Sequence, residues 1–125
     1  MLDQYATVPR FSNTFIAEQR DRLDREEMKV ASRLDAAEPA THQAWRNILK
    51  LNGEIRHAIR LLRLARENCG RGYRRVELYP GTYPGFFESR PWTPEFLNEC
   101  GASLLWLLSY RKQAWAALRR AEAVS

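Results

Sequence analysis

The feature that most constrains this chain is a run of apolar residues spaced alternately four and three apart: Ala44, Ile48, Leu51, Ile55, Ala58, Leu62 and Ala65. With about 3.6 residues per helical turn, such spacing gathers every member onto one stripe, the two-position seam of packed helices. A stripe this long has to be covered, and one helix cannot cover its own face. The chain must therefore supply further helices, or a second molecule must do so.

The boundaries of this helix are legible. Pro39 and Thr41 suit a start, and Gly70 after Asn68 and Cys69 suits a stop, which predicts a helix over 39–69. Upstream, Ser12 and Asn13 are good N-caps, and Ile16, Leu23, Val30 and Ala37 follow seven apart with Leu34 beside them, predicting a helix over 12–37. Its middle is almost wholly charged, with Glu18/Arg22 and Asp21/Arg25 in the favourable acid-first order, so it should lie at the surface on a thin apolar stripe. The short link at Glu38 makes these two helices antiparallel neighbours. Thr93, Pro94 and Glu95 open a third helix, predicted over 93–123. Leu104 to Leu108 are apolar on every side, which predicts a central position for this helix, and Gly101 permits a close crossing.

The expected fold is thus all-α: an antiparallel three-helix bundle of long helices, one domain over residues 1–125 with an N-terminal tail at 1–11. Residues 71–92 break the period. The segment Tyr73 to Tyr79 has the composition of a short strand but no evident partner, and Tyr79-Pro80-Gly81 and Tyr83-Pro84-Gly85 suit tandem type II turns. This region is expected to be an ordered, aromatic-rich loop.

Several classes of function are disfavoured at once. The longest strongly apolar stretch, Gly101 to Tyr110, has ten residues where a membrane span needs about 20. Residues 1–10 carry no hydrophobic targeting segment, and the two cysteines, Cys69 and Cys100, do not amount to a disulfide framework, so a cytoplasmic protein with reduced thiols is expected. Nucleophile and phosphate-loop motifs are missing, and neither cysteine lies in a Cys-x-x-Cys pair. Glu54 and His57 have the i,i+3 spacing of a carboxylate-bridged metal site, yet on a helical wheel both point away from the seam, and Arg56 and Arg60 beside them would repel a cation. A phosphotransfer role for His57 is disfavoured by the bulk of Leu61, where a docking partner needs a small residue. No enzyme activity, metal or cofactor is expected.

What remains is surface. Residues 46–75 hold nine cations against two carboxylates, a net charge of +7 in a chain whose total is +5, and all but three of the chain's 20 cations are arginine. On the wheel Arg46, Lys50, Arg56, Arg60 and Arg63 form an arc opposite the seam, and Arg71, Arg74 and Arg75 carry the charge onward. Arginine's planar fork suits phosphate, so the expected function is non-enzymatic binding of nucleic acid or a nucleoprotein through this face. The alternative is a protein-binding adaptor or inhibitor, of the kind a phage or other mobile element encodes, that acts through Tyr79, Tyr83, Phe86, Phe87 and Trp92. Apolar residues on more than one face of the third helix also make a homodimer an expectation.

Overall fold

The computed structural model describes residues 11–124; of the tail expected at 1–11, residues 1–10 lie outside it. Three helices and one small sheet follow in the order α1 (Asn13–Leu34), α2 (Pro39–Asn68), β1 (Tyr73–Glu77), β2 (Phe87–Pro91) and α3 (Pro94–Val124).

The helix starts follow the sequence signals. The Ser12 hydroxyl accepts from the Phe15 amide at 3.0 Å, and the Thr93 hydroxyl accepts from the Phe96 amide at 3.1 Å. Helix α1 stops at Leu34, short of Ala37, whose amide closes a turn onto the Leu34 carbonyl at 3.3 Å, and Glu38, which precedes Pro39, is extended (φ −68°, ψ 154°). Glu38 then serves as the N-cap of α2, its carbonyl accepting from the Thr41 and His42 amides at 2.9 Å.

Helix α2, rather than α3, is the central element. Its seam residues Ile48, Ile55, Ala58, Leu62 and Ala65 are buried, and Trp45 and Ile59 join them. One core cluster gathers Ile16 and Leu23 of α1, Ile55, Ile59 and Leu62 of α2, and Cys100 and Leu104 of α3; a second joins Val30, Trp45, Ile48 and Leu118. Between them lies Asn52, fully buried, its amide donating to Glu26 Oε2 at 3.3 Å. Contacts such as Asn13 with Arg66 and Asp24 with Arg56 set α1 antiparallel to α2, and Trp45 with Trp115 sets α3 antiparallel to α2. No Cα atom of α1 comes within 8 Å of one in α3. The central placement expected of α3 fails for a physical reason: its all-round apolar stretch leaves Leu105, Trp106 and Tyr110 exposed on the side α2 does not reach.

The second departure from a plain helical bundle is the segment after α2. Strand β1 pairs antiparallel with β2 in the register Tyr73↔Pro91, Arg75↔Ser89 and Glu77↔Phe87. The expected loop is therefore a hairpin. Its partner strand, Phe-Glu-Ser-Arg-Pro, lacks the alternation that reveals strands, and Pro91 is tolerated because a two-stranded sheet consists only of edges. The tandem turns form its tip: the Thr82 amide donates to the Tyr79 carbonyl at 3.1 Å, and Gly81 and Gly85 adopt φ of 84° and 95°, the left-handed conformation a type II turn requires.

A two-stranded sheet alone is marginal in water, so its root has to be held. The Gly70 amide donates to the Trp92 carbonyl at 3.0 Å, Trp92 packs edge-on against Phe96 at 5.9 Å, and the Arg74 guanidinium lies 3.5 Å from the centroid of the Phe96 ring. Beyond that root no strand Cα lies within 8 Å of a helix Cα, and the hairpin projects from the helices.

Candidate functional site

Helix α2 buries one side against α1 and α3 and turns the rest to solvent, which is where its cations lie. Arg46, Lys50, Arg60 and Arg63 are exposed and form no ion pair among the described residues. Arg56 differs. Its Nη2 sits 2.8 Å from Asp24 Oδ1 and 2.9 Å from Glu27 Oε1, and its Nε donates to Glu27 Oε1 at 3.1 Å. The hydrogen bonds to Asp24 and then Glu27 hold its pKa above the ordinary arginine value. Arg56 therefore spends its charge on joining α1 to α2.

That joint brings Arg20 of α1 to the basic side of α2. Arg20, Arg60 and Arg63 line a groove of about 530 Å³ floored by Ile59, with Gly53 and His57 on its wall. Arg20 and Arg63 also line an adjoining hollow of about 450 Å³ reached by Arg66 and Glu67. Arg66 itself donates to the Phe11 carbonyl and to Asn13 Oδ1, tying the start of α1 to the end of α2. The two hollows share Arg20 and Arg63 and make a largely cationic channel along the α1–α2 boundary, with Glu67 its one lining carboxylate. The sequence reading missed Arg20, which lies in a region of mixed charge; only the antiparallel register of α1 on α2, fixed by Arg56, brings it opposite Arg63.

The remaining cations separate. Arg71 is exposed just past the end of α2. Arg74 is half-buried over Phe96, and Arg75 lies 3.9 Å from the centroid of the Phe87 ring, diagonal to it across the sheet. Arg74 is thus occupied with a ring of α3, and Arg75 with a ring of the hairpin itself.

The aromatic residues separate as well. Tyr79, Tyr83 and Phe86 meet edge-to-face at the hairpin tip with centroids 6.0 to 6.5 Å apart, all three exposed, and Leu78 and Phe87 expose apolar surface beside them. Trp92 does not join this group but packs against the core at the hairpin root. Glu54 and His57 are exposed along a shallow apolar hollow with Leu61, Phe96 and Leu107, and no cluster of three or more His, Cys, Asp or Glu side chains able to hold a metal ion occurs among the described residues. Cys69 and Cys100 are both free thiols; burial, ahead of the opposing pull of Arg74, pushes the Cys100 thiol up to about 11, which makes it unreactive near neutral pH.

No helix among the described residues is long and apolar enough to cross a membrane. No protein-family model, curated protein or solved structure matches this chain.

Proposed function

We propose that this chain is a non-enzymatic binding protein of the cytoplasm whose partner is a nucleic acid or nucleoprotein, engaged along the α1–α2 channel. The observation that carries the reading is the contrast within one row of arginines. Arg56 is matched by two carboxylates, while Arg20, Arg60 and Arg63 beside it line a groove that no carboxylate lines. An amphipathic helix needs polar residues outside, but it does not need one sign of charge unanswered along a groove. Arg46 and Arg71 add exposed cations along and just past α2, whereas Lys50 lies on its α3 side, lining hollows there beside Glu54.

The test replaces Arg20, Arg60 and Arg63 with glutamate and leaves Arg56 alone, since reversing Arg56 would set three acids against one another and loosen α1. Fluorescence anisotropy with a labelled 20-mer duplex and a single strand should show binding by the unmodified protein that weakens steeply with salt. Three phosphate contacts correspond to a log–log slope of about −2.7 on duplex DNA, and the triple variant should lose that slope together with the binding. Absence of binding at low salt rejects the reading.

A second reading has its own observation, the exposed cluster of Tyr79, Tyr83 and Phe86 at the end of a projecting hairpin. Rings held against one another lose little conformational freedom on docking, as suits the anchor of a protein interface. A protein partner lost on Tyr79→Ala/Tyr83→Ala/Phe86→Ala and retained by the arginine variant would favour an adaptor or inhibitor. Self-association, if it occurs, has the exposed α3 face of Leu105, Trp106 and Tyr110 available, and sedimentation equilibrium measures it.

A further inference from the structure

Helices α1 and α3 both pack on α2 while their own backbones stay apart, and the gap between them is an open cleft of about 670 Å³. It shares no lining residue with the α1–α2 channel. Long side chains fill its edges: Arg22 and Lys29 from α1, Lys112 and Arg119 from α3. Its floor is Arg111, only 3% exposed.

Arg111 is the least expected side chain in the core. Its Nη2 donates to Gln19 Oε1 at 2.6 Å, an uncharged acceptor, and its Nη1 is sealed from solvent with no acceptor. A guanidinium cannot shed its proton in a protein, so this is a buried charge without a bonded counter-ion. Burial, and after it Arg22, pushes its pKa below the ordinary arginine value, with Glu26 pulling weakly the other way. Glu26 is the one carboxylate lining the cleft, and it is already committed: Oε1 pairs with Arg22 at 2.7 Å and Oε2 accepts from Asn52 at 3.3 Å. The cleft therefore presents five cations against one occupied acid, with an unsatisfied donor at its floor.

We infer that the α1–α3 cleft is a binding site for a small phosphate-bearing anion, held by the exposed Lys29, Lys112 and Arg119 above the buried charge of Arg111. The charge excess favours a ligand of two or more negative charges over a simple carboxylate. The fork of the exposed Arg119 can match two phosphate oxygens at once, and the volume accommodates a diphosphate group with a modest substituent. The Trp115 ring, with Lys29 Nζ 5.8 Å from its centroid, forms the apolar wall. The inference does not depend on nucleic-acid binding along the other groove.

Isothermal titration calorimetry at low salt tests it, with pyrophosphate as probe and inorganic phosphate and citrate at matched ionic strength as comparisons. Pyrophosphate is expected to bind saturably at one site per chain and more tightly than citrate. Arg111→Met should weaken it severalfold, because it removes a poorly screened positive charge beneath the anion. Because Arg111 lies in the core, the exposed pair Lys112→Ala/Arg119→Ala provides a second variant, expected to weaken binding severalfold at an unchanged Tm of the free protein. The Arg20/Arg60/Arg63→Glu variant should keep its pyrophosphate affinity. A short oligonucleotide that competes for pyrophosphate in that variant would identify a nucleic-acid phosphate as the source, and failure to compete would identify a free phosphorylated compound. No saturable pyrophosphate binding, equal binding of citrate, or binding indifferent to both the Arg111 and the Lys112/Arg119 substitutions overturns the inference.

Discussion

Replacing Ile55 with alanine probes the packing at its centre. Ile55 is 0% exposed and sits where all three helices meet, touching the cluster that includes Leu23, Leu62 and Leu104. The substitution removes three carbons, worth about 2.4 kcal/mol at about 0.8 kcal/mol per buried methylene. A cavity walled by three helices cannot collapse freely, so the total should reach about 3 kcal/mol, within the range seen for such truncations. At about 3–5 °C per kcal/mol for a chain of this length, Tm should fall by about 9–15 °C. Leu64→Ala on the same helix is the control: Leu64 is 39% exposed, and its truncation should cost under about 1 kcal/mol. Both variants gain the same residue in the same helix, so helix propensity largely cancels and the difference reports burial. Thermal and urea unfolding followed by circular dichroism at 222 nm provide both values. If the two variants unfold within about 1 kcal/mol of each other, α2 is not the centre of the fold.

Other expectations follow from individual contacts. A double-mutant cycle between Arg56 and Asp24 should return a coupling of about 0.3–1 kcal/mol, modest because both groups are partly solvated, and zero coupling both there and in the matching cycle with Glu27 would remove Arg56 from the joint. Cys100, its thiol raised to about 11 from an ordinary 9.0, favours the folded state while neutral, so its contribution is complete below pH 9 and is lost as pH climbs toward 11. Cys100→Ala should flatten the alkaline limb of the stability curve; an unaltered limb would assign it to other groups. Replacing Tyr79, Tyr83 and Phe86 by alanine should leave Tm within about 2 °C, because these rings touch one another and not the core. A larger fall would mean the tip is part of the folded unit.

The seam of α2 and the capping signals at Ser12 and Thr93 were legible because they are local: spacing, a hydroxyl and a proline suffice to set them. The place of α3 was not. A stretch apolar all round reads as buried, yet Trp106 and Tyr110 remain exposed because they lie on the side of α3 that α2 does not reach. The hairpin is hidden in the sequence because β2 is defined by its partner and not by its own pattern; the Tyr-Pro-Gly turns are legible, but nothing local joins them to the strand they close. The basic face was visible as a charge tally, whereas its division into the matched Arg56 and the unmatched Arg20, Arg60 and Arg63 depended on which residues of α1 lie opposite. Arg111 carried no signal, since one arginine in a helix near Lys112 reads as surface.

Helix α1 fully buries only three side chains, Ile16, Leu23 and Val30, two turns apart, with Phe15 and Leu34 half-buried beside them and side-chain hydrogen bonds from Asn13, Gln19, Asp24 and Glu26. So few fastenings make it a separate cooperative unit, one that detaches as a whole at a free energy below that of global unfolding. Its amide protons should then exchange with solvent together and ahead of those in α2 and α3. Each such opening bares the flank of α2 holding Ile59 and Asn52, so a protease should cut first where this one helix lets go.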